Sequence, residues 1–203
     1  MGKALPALLV ACLTVISGAE AQVSTSARGR PTPPPGLLVA HKSDLPGFRF
    51  SRSTLESSTS AAGFARTVLG ERGRVAREEI ALLKRSGLRE GVRDFFIGLR
   101  GEAVSIAYVL RSGRAARHLL AAYAQEDLAE PGVMRFPTDT IPTSVAWEAI
   151  QDGGGYANVM FMSGRCVLLV GDAIHELTPL ERPSVAPLAG ATALYHRVKR
   201  LCA

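Results

Sequence analysis

The sequence predicts an α+β domain with an antiparallel sheet of about five to seven strands, helices packed on one face and one disulfide. Three observations support this class. Segments of alternating apolar and polar residues are joined by tight glycine turns, which is typical of antiparallel hairpins. Other segments carry apolar residues at helical spacing. Two cysteines, Cys166 and Cys202, remain once an N-terminal export signal is removed.

The first 21 residues have the layout of a secretory signal. Lys3 precedes an uncharged, mostly apolar run over residues 4–16, and small residues follow up to Ala21. The run is shorter than the roughly 20 residues that span a bilayer, so we expect a secreted or cell-envelope protein cleaved after Ala21. The alternative is a lipid anchor, because residues 9–12 fit the loose pattern that ends in a lipid-modified cysteine, here Cys12. The apolar run continues past Cys12, which favours cleavage after Ala21.

A proline-rich segment separates this signal from the folded domain. Residues 22–36 lack a periodic apolar pattern and contain a proline cluster, so we expect a disordered, extended linker. A single domain is then predicted over residues 37–203. Its first predicted pieces are a short strand at residues 37–40, a turn at residues 44–47, and an extended piece with Phe48 and Phe50 on one side.

The middle of the domain combines helices with a hairpin. Gly70 and Gly87 are stop signals for two helices, and Ser112 is an N-cap candidate for a third. A tight turn is predicted at Arg100 and Gly101. The predicted elements are helices over residues 60–69 and 74–86, strands over residues 94–99 and 103–110, and a helix from Ser112 to just before Pro131.

The last third is predicted to be a three-strand meander closed by a helix over residues 187–201. Val145, Trp147 and Ala149 face one way on its first strand. The run over residues 166–170 is apolar on both faces, which places it centrally in the sheet. A Cys166–Cys202 disulfide would fasten the closing helix to this strand and contribute about 4 kcal/mol. The alternative is two unpaired thiols.

Charge and motifs limit the function classes. The net charge of +6 favours contact with an anionic envelope polymer, a lipid surface or another envelope protein. We do not expect nucleic-acid binding, because the chain is predicted to be exported and no segment interleaves aromatic residues with its arginines. Once the signal is removed, we do not expect the chain to be an integral membrane protein. Motifs for a nucleophile elbow, a phosphate loop and a Cys-x-x-Cys site are absent from the sequence.

A few residues are candidates for a site. Asp172 and His175 follow the predicted central strand, where a histidine oriented by a carboxylate would suit acid–base chemistry. His175 and Glu176 also begin a zinc-protease motif, but the second ligand position holds Pro179, which excludes it. Four scattered histidines make no metal cluster, and we expect no cofactor. The aromatic residues proposed to line a ligand groove are Trp147, Tyr156 and Tyr108.

Two short motifs resemble a group of exported proteins. Residues 45–48 read Leu-Pro-Gly-Phe, and residues 108–112 read Tyr-Val-Leu-Arg-Ser before an alanine-rich helix. The chain resembles, over residues 37–203, small exported envelope proteins of high-GC Gram-positive bacteria (actinobacteria), which include sensor-like and lipid-binding domains with a PsbP-like α+β sheet. The resemblance implies a non-enzymatic envelope role and carries no catalytic residue onto this chain.

Three functional hypotheses follow for the exported domain. The first is a binding or sensing module that uses the sheet face or the groove between sheet and helices. The second is a secreted hydrolase working through His175 and Asp172, which requires a hydroxyl or thiol within reach of His175. The third is a structural or inhibitory surface protein with a large apolar patch.

Overall fold

A computed structural model describes residues 32–151, 153–178 and 181–202. The predicted signal, with Cys12, and residues 22–31 of the predicted linker lie outside the described residues. The strands are β1 Phe50–Ser58, β2 Leu88–Gly98, β3 Gly101–Leu110, β4 Met134–Arg135, β5 Ser144–Gln151, β6 Gly154–Ser163 and β7 Cys166–Ile174. The helices are α1 Ala61–Gly63, continued by a π-helix over Phe64–Val68, α2 Gly73–Ser86, α3 Gly113–Asp127 and α4 Val185–Val198, with 3-10 turns at Pro35–Leu37 and Lys42–Asp44.

The seven strands form one sheet in the order β1-β2-β3-β7-β6-β5-β4. Every neighbouring pair is antiparallel. The predicted α+β class and antiparallel sheet are therefore confirmed. β7 is the fourth of the seven strands, as its two apolar faces predicted. Hydrogen bonds to both neighbours and apolar residues on both faces enclose this strand.

The helices cover both faces of the sheet, which corrects the predicted packing on one face. Alternate residues of β7 belong to two separate cores. Cys166, Leu168 and Val170 pack with α4, and we call this side the α4 face. Val167 packs with α1, α2 and α3 on the other side, the α3 face. The division follows from the sequence of β7 itself, because a strand that is apolar on both sides needs cover on both.

The predicted disulfide joins β7 to the residues just after α4. Cys166 and Cys202 are bonded, with their Cα atoms 5.7 Å apart. Both side chains are buried on the α4 face. The Arg165 backbone N–H also donates to the Cys202 carbonyl at 3.0 Å. The end of the chain is thereby fastened to the central strand.

Local signals place the helix ends within two or three residues of the predictions. The Ser112 side chain accepts a hydrogen bond from the Ala115 N–H and begins α3. Ser60 does the same for the Gly63 N–H at the start of α1. Gly87 has a φ of +66° and ends α2, a conformation that costs glycine little. Within residues 32–151, 153–178 and 181–202, no helix has the length and apolar character needed to cross a bilayer.

One prediction near the start of the domain is wrong, and the strand that continues from Phe50 was not predicted. Residues 37–40 are not a strand: a 3-10 turn ends at Leu37, and the chain then crosses the α4 face without strand pairing. The Ala40 N–H is satisfied by the Ser105 hydroxyl at 2.9 Å instead of a sheet neighbour. Phe48 and Phe50 do stack, with ring centroids 5.1 Å apart. Phe50 then begins β1, a polar edge strand that the sequence did not indicate.

Arg197 of α4 fixes the segment over residues 38–45, which we call the crossing segment. Arg197 donates to the Val39 carbonyl at 2.8 Å and lies 3.2 Å from Asp44 Oδ2. The same Asp44 oxygen accepts the His41 N–H at 2.8 Å. The two charged side chains are 23% and 14% exposed. This half-buried pair holds the crossing segment against α4.

Replacing Arg197 should therefore loosen the crossing segment. We expect Arg197→Ala to lower the free energy of unfolding by about 2–3 kcal/mol, because it leaves a half-buried Asp44 carboxylate with one fewer charged donor. Urea unfolding followed by circular dichroism measures the loss. Arg200→Ala, at an exposed position in the turn after α4, is the matched control and should change stability by less than about 0.5 kcal/mol. Equal losses in the two variants would contradict the role assigned to Arg197.

Candidate functional site

The candidate site begins with two carboxyl side chains in one row across the sheet. Asp172 of β7 is paired with Ala157 of β6, and Ala157 with Glu148 of β5. Directly paired residues project to the same face, and Asp172 shares the α4 face with Val170, two residues earlier. Neighbouring strands lie about 4.8 Å apart, so the two carboxyl residues are about 10 Å apart at their Cα atoms.

Asp172 is a buried carboxyl group with one free oxygen. The residue is 5% exposed. Its Oδ1 accepts the Ala157 N–H at 3.3 Å, and its Oδ2 has no hydrogen-bond partner. Burial, followed by the nearby charge of Glu148, raises the pKa of Asp172 to about 8, against the opposing effect of the Ala157 N–H. Asp172 is thus mostly protonated at neutral pH.

Glu148 is the second buried carboxyl group, and it contacts an arginine weakly. It is 8% exposed, and its Oε1 lies 3.8 Å from Nη1 of Arg182. The Arg182 side chain is itself 62% exposed. The other Glu148 oxygen, Oε2, has no hydrogen-bond partner. Buried polar atoms without partners are uncommon in folded proteins, and this row contains two of them.

Asp172 lies on the wall of a cavity of about 290 Å³ at the end of the sheet where β3 begins and β7 ends. Three parts of the chain enclose it: the loop before β1, the ends of these strands, and the segment that leads into α4. Most of the lining side chains are apolar. The lining residues are Pro46, Gly47, Phe48, Arg100, Asp172, Ile174, Glu181, Arg182, Pro183, Val185 and Ala186.

An ion pair closes one side of this cavity. Arg100, in the turn between β2 and β3, donates from Nη1 and Nη2 to the two carboxylate oxygens of Glu181 at 2.8 and 2.7 Å. Hydrogen bonds from Arg100 and from Thr178 lower the pKa of Glu181 to about 2. The Arg100 guanidinium is therefore occupied by a partner of its own and does not serve Asp172.

The structure does not bring His175 to Asp172. β7 runs to Ile174, so Asp172 lies within the strand and not in the predicted loop. His175 follows the strand end and is exposed, whereas Asp172 is buried on the α4 face. Neither oxygen of Asp172 bonds to the His175 ring. The geometry needed for the predicted histidine–carboxylate pair is absent between these two residues.

The three aromatic candidates lie on the α3 face, away from the cavity. Trp147 and Tyr108 are buried there, and Tyr156 packs against the same core. The Tyr108 ring contacts the rings of Phe64 and Tyr123, with centroids 5.4 and 5.5 Å away. The structure thus places these residues in side-chain packing, and a ligand groove at them stays a prediction.

Sequence reasoning missed Glu148 and Arg182. On the predicted first strand of the meander, only the face formed by Val145, Trp147 and Ala149 was described, and no role was predicted for Glu148. With α4 covering the other side of the sheet, Glu148 faces inward. Arg182 lies in a connecting segment without periodicity, and only the folded chain brings it close to Glu148.

Comparison with known proteins adds no family: no family model matches this chain, and no curated protein matches it. In the part of the chain that the structure describes, no group of three or more histidine, cysteine or acidic residues is arranged to hold a metal ion. The site must therefore be interpreted from its own geometry. That geometry is a mainly apolar cavity with a buried carboxyl group on its wall.

Proposed function

We propose that the chain is an exported cell-envelope binding or sensing module, which holds a small amphipathic ligand in the cavity beside Asp172. The observation that supports this most strongly is the free Oδ2 of a 5% exposed Asp172 on a mainly apolar wall. Binding pockets combine apolar walls with a few placed polar groups. The apolar body of a ligand would contact Phe48 and Ile174, and its polar group would complete the hydrogen bonding of Asp172.

The arrangement favours binding over hydrolysis. A hydrolytic site needs a nucleophile, a base in hydrogen-bond contact with it, and a group that orients the base. Asp172 bonds to a backbone N–H and not to a histidine. The ionic groups beside the cavity, Arg100 and Glu181, neutralise each other. A carboxyl group that lacks such partners serves to recognise a polar group.

Other features support the extracytoplasmic part of the proposal. A disulfide is typical of proteins in oxidising compartments, and Cys166 is bonded to Cys202. The N-terminal residues have the layout of an export signal. The net charge of +6 suits the anionic polymers and lipid surfaces of an envelope. The domain would meet its ligand there.

Filling the cavity mouth should abolish binding. Val185 lines the cavity and is 62% exposed, so Val185→Trp adds a large ring at the mouth without cutting into the core. We expect small amines, alcohols and carboxylates with a phenyl or hexyl body to shift the amide NMR signals of Ala157, Ile174 and Ala186 in the unaltered protein. These shifts should disappear in Val185→Trp.

Val75→Trp is the matched control for this experiment. Val75 also lies in the first turn of a helix and is 48% exposed, but it is on α2, away from the cavity. This variant should keep the ligand-induced shifts. If no compound perturbs the three amides in the unaltered protein, or if both tryptophan variants behave alike, the proposed function is wrong.

A further inference from the structure

We infer that the cavity is selective for an organic ammonium ion, in which a protonated amine is attached to an apolar body. This inference rests on the proposed function and names the chemical class of its ligand. The two unpartnered carboxyl oxygens, Asp172 Oδ2 and Glu148 Oε2, lie in one row on the α4 face. Of the two, only Asp172 lines the cavity, and an ammonium group, with three donors and no acceptor, matches its free acceptor oxygen.

The charges around the cavity favour a cation. Arg100 is paired through both terminal nitrogens with Glu181. Arg182 is mostly exposed and lies 3.8 Å from Glu148. No cation among the described residues forms a hydrogen bond or ion pair with Asp172. The cavity wall carries the carboxyl groups of Asp172 and Glu181 and the guanidinium groups of Arg100 and Arg182. Both arginines lie beside carboxylates of their own, so an ammonium would supply the positive partner that Asp172 lacks.

Neutral ligands fit the same oxygens less well. A hydroxyl group can donate one hydrogen bond to Asp172, but it cannot offset the charge of the ionised carboxylate. An ammonium does both, and charge-assisted hydrogen bonds are about twice as strong as neutral ones. The ring of Phe48 on the cavity wall adds a surface that attracts cations. Selectivity for the amine over an alcohol of the same size follows.

Binding should release a proton below pH 8. Burial raises the pKa of Asp172 to about 8, so the free protein carries its proton on this carboxyl group at neutral pH. When an ammonium binds, the Asp172 O–H bond breaks, the proton passes to solvent, and the carboxylate pairs with the ammonium. The charged group that acts on Asp172 is Glu148 of β5. Three further charged residues line the same cavity: Arg100 of the β2–β3 turn, and Glu181 and Arg182 before α4.

The affinity for an amine should consequently rise with pH up to about 8 and then level off. The plateau lasts while the amine itself stays protonated, up to about pH 10 for an alkylammonium comparable to lysine. As pH falls below 8, the binding free energy becomes less favourable with each unit, because Asp172 must first lose its proton.

The test uses three probes of equal size: phenethylamine, 2-phenylethanol and phenylacetate. Titration calorimetry at pH 6 to 9, in buffers of different ionisation enthalpy, measures affinity and proton release together. We expect phenethylamine to bind at least about tenfold more tightly than 2-phenylethanol, with phenylacetate weakest. Asp172→Asn should lower the affinity for phenethylamine at least about tenfold, leave that for 2-phenylethanol nearly unchanged, and remove proton release.

Asp127→Asn is the matched control. Asp127 of α3 also has a raised pKa, about 7, caused by burial and by the charges of Glu126 and Glu130, but it is on α3 and does not line the cavity. The Asp127→Asn variant should bind phenethylamine with the same affinity as the unaltered protein. If the alcohol or the carboxylate binds as tightly as the amine, the inference is wrong and the proposed binding function stands. If none of the three probes binds, the inference is also wrong, and the amide shifts with the wider set of compounds decide the function separately.

Discussion

A double variant without the disulfide, Cys166→Ala/Cys202→Ala, is expected to unfold about 4 kcal/mol more easily than the oxidised protein. The bond closes a loop of 36 residues, and its main effect is to restrict the unfolded chain. Alanine avoids placing a hydroxyl group in the core, where both cysteines are at most 1% exposed. Since net stabilities of domains are about 5–15 kcal/mol, this is a large fraction of the total. Urea unfolding measures it.

Chemical reduction of the unaltered protein provides the control. Oxidised protein should expose no free thiol at Cys166 or Cys202 when it is denatured without reductant, and reduced protein should unfold at nearly the same urea concentration as the double variant. The hydrogen bonds of Cys202 to Val198 and Arg165 are made by the backbone and do not need the sulfur atoms. Equal unfolding midpoints for oxidised and reduced protein, or two titratable thiols in the untreated protein, would contradict the expected contribution of the bond.

Local signals in the sequence were enough to predict most elements of the fold. Helix caps and tight turns act within a few residues, so their effect does not depend on the rest of the chain. Examples are Ser112, Gly87 and the two-residue turn before Gly101. The central position of β7 was also predictable, because a run that is apolar on both sides is stable only where both sides are covered. The disulfide followed from the even number of cysteines in the predicted mature chain.

The errors concern elements whose environment is set by distant residues. Residues 37–40 are apolar enough for a strand, but their burial comes from crossing the α4 face, where Ala40 bonds to Ser105. β1 is polar because it is an edge strand with much of its surface in water, and edge strands lack a strong alternating pattern. The prediction of helices on one face was wrong because β7 is apolar on both sides and therefore needs helices on both faces of the sheet.

The candidate site was only partly predictable for the same reason. Asp172 was identified because it follows a core strand, but the sequence suggested the nearby His175 as its partner. The charged residue that acts on Asp172 is Glu148, and strand register alone brings it into the same row. Pairing across three strands joins residues 24 positions apart (172 minus 148), and no local pattern encodes it. The predicted placement of the helices on one face gave no reason to expect Glu148 in the interior.

Asp172→Asn is expected to make the domain more stable at pH 8, by at least about 2 kcal/mol, and to leave it nearly unchanged at pH 4. The folded-state pKa of Asp172, about 8, lies above the ordinary value of 3.8. Between these values the folded protein binds more protons than the unfolded chain, so the free energy of unfolding falls as pH rises. At pH 8 about half of the folded molecules carry a buried charge without a partner at Asp172. Asparagine removes that charge and can still accept the Ala157 N–H.

The control is again Asp127→Asn, because the two carboxyl groups act over different pH ranges. The pKa of Asp127 is raised only to about 7, so this variant should lessen the decline in stability between about pH 4 and 7, where Asp172 also contributes, and keep the decline between pH 7 and 8. Asp172→Asn should remove the decline in that last interval. Parallel stability curves for Asp172→Asn and the unaltered protein, measured by urea unfolding at each pH, would show that Asp172 is not buried in an uncompensated state. A buried carboxylate at Asp172 lowers the stability of the free domain. The proposed cation would offset this loss, because a ligand that binds only the folded state stabilises it.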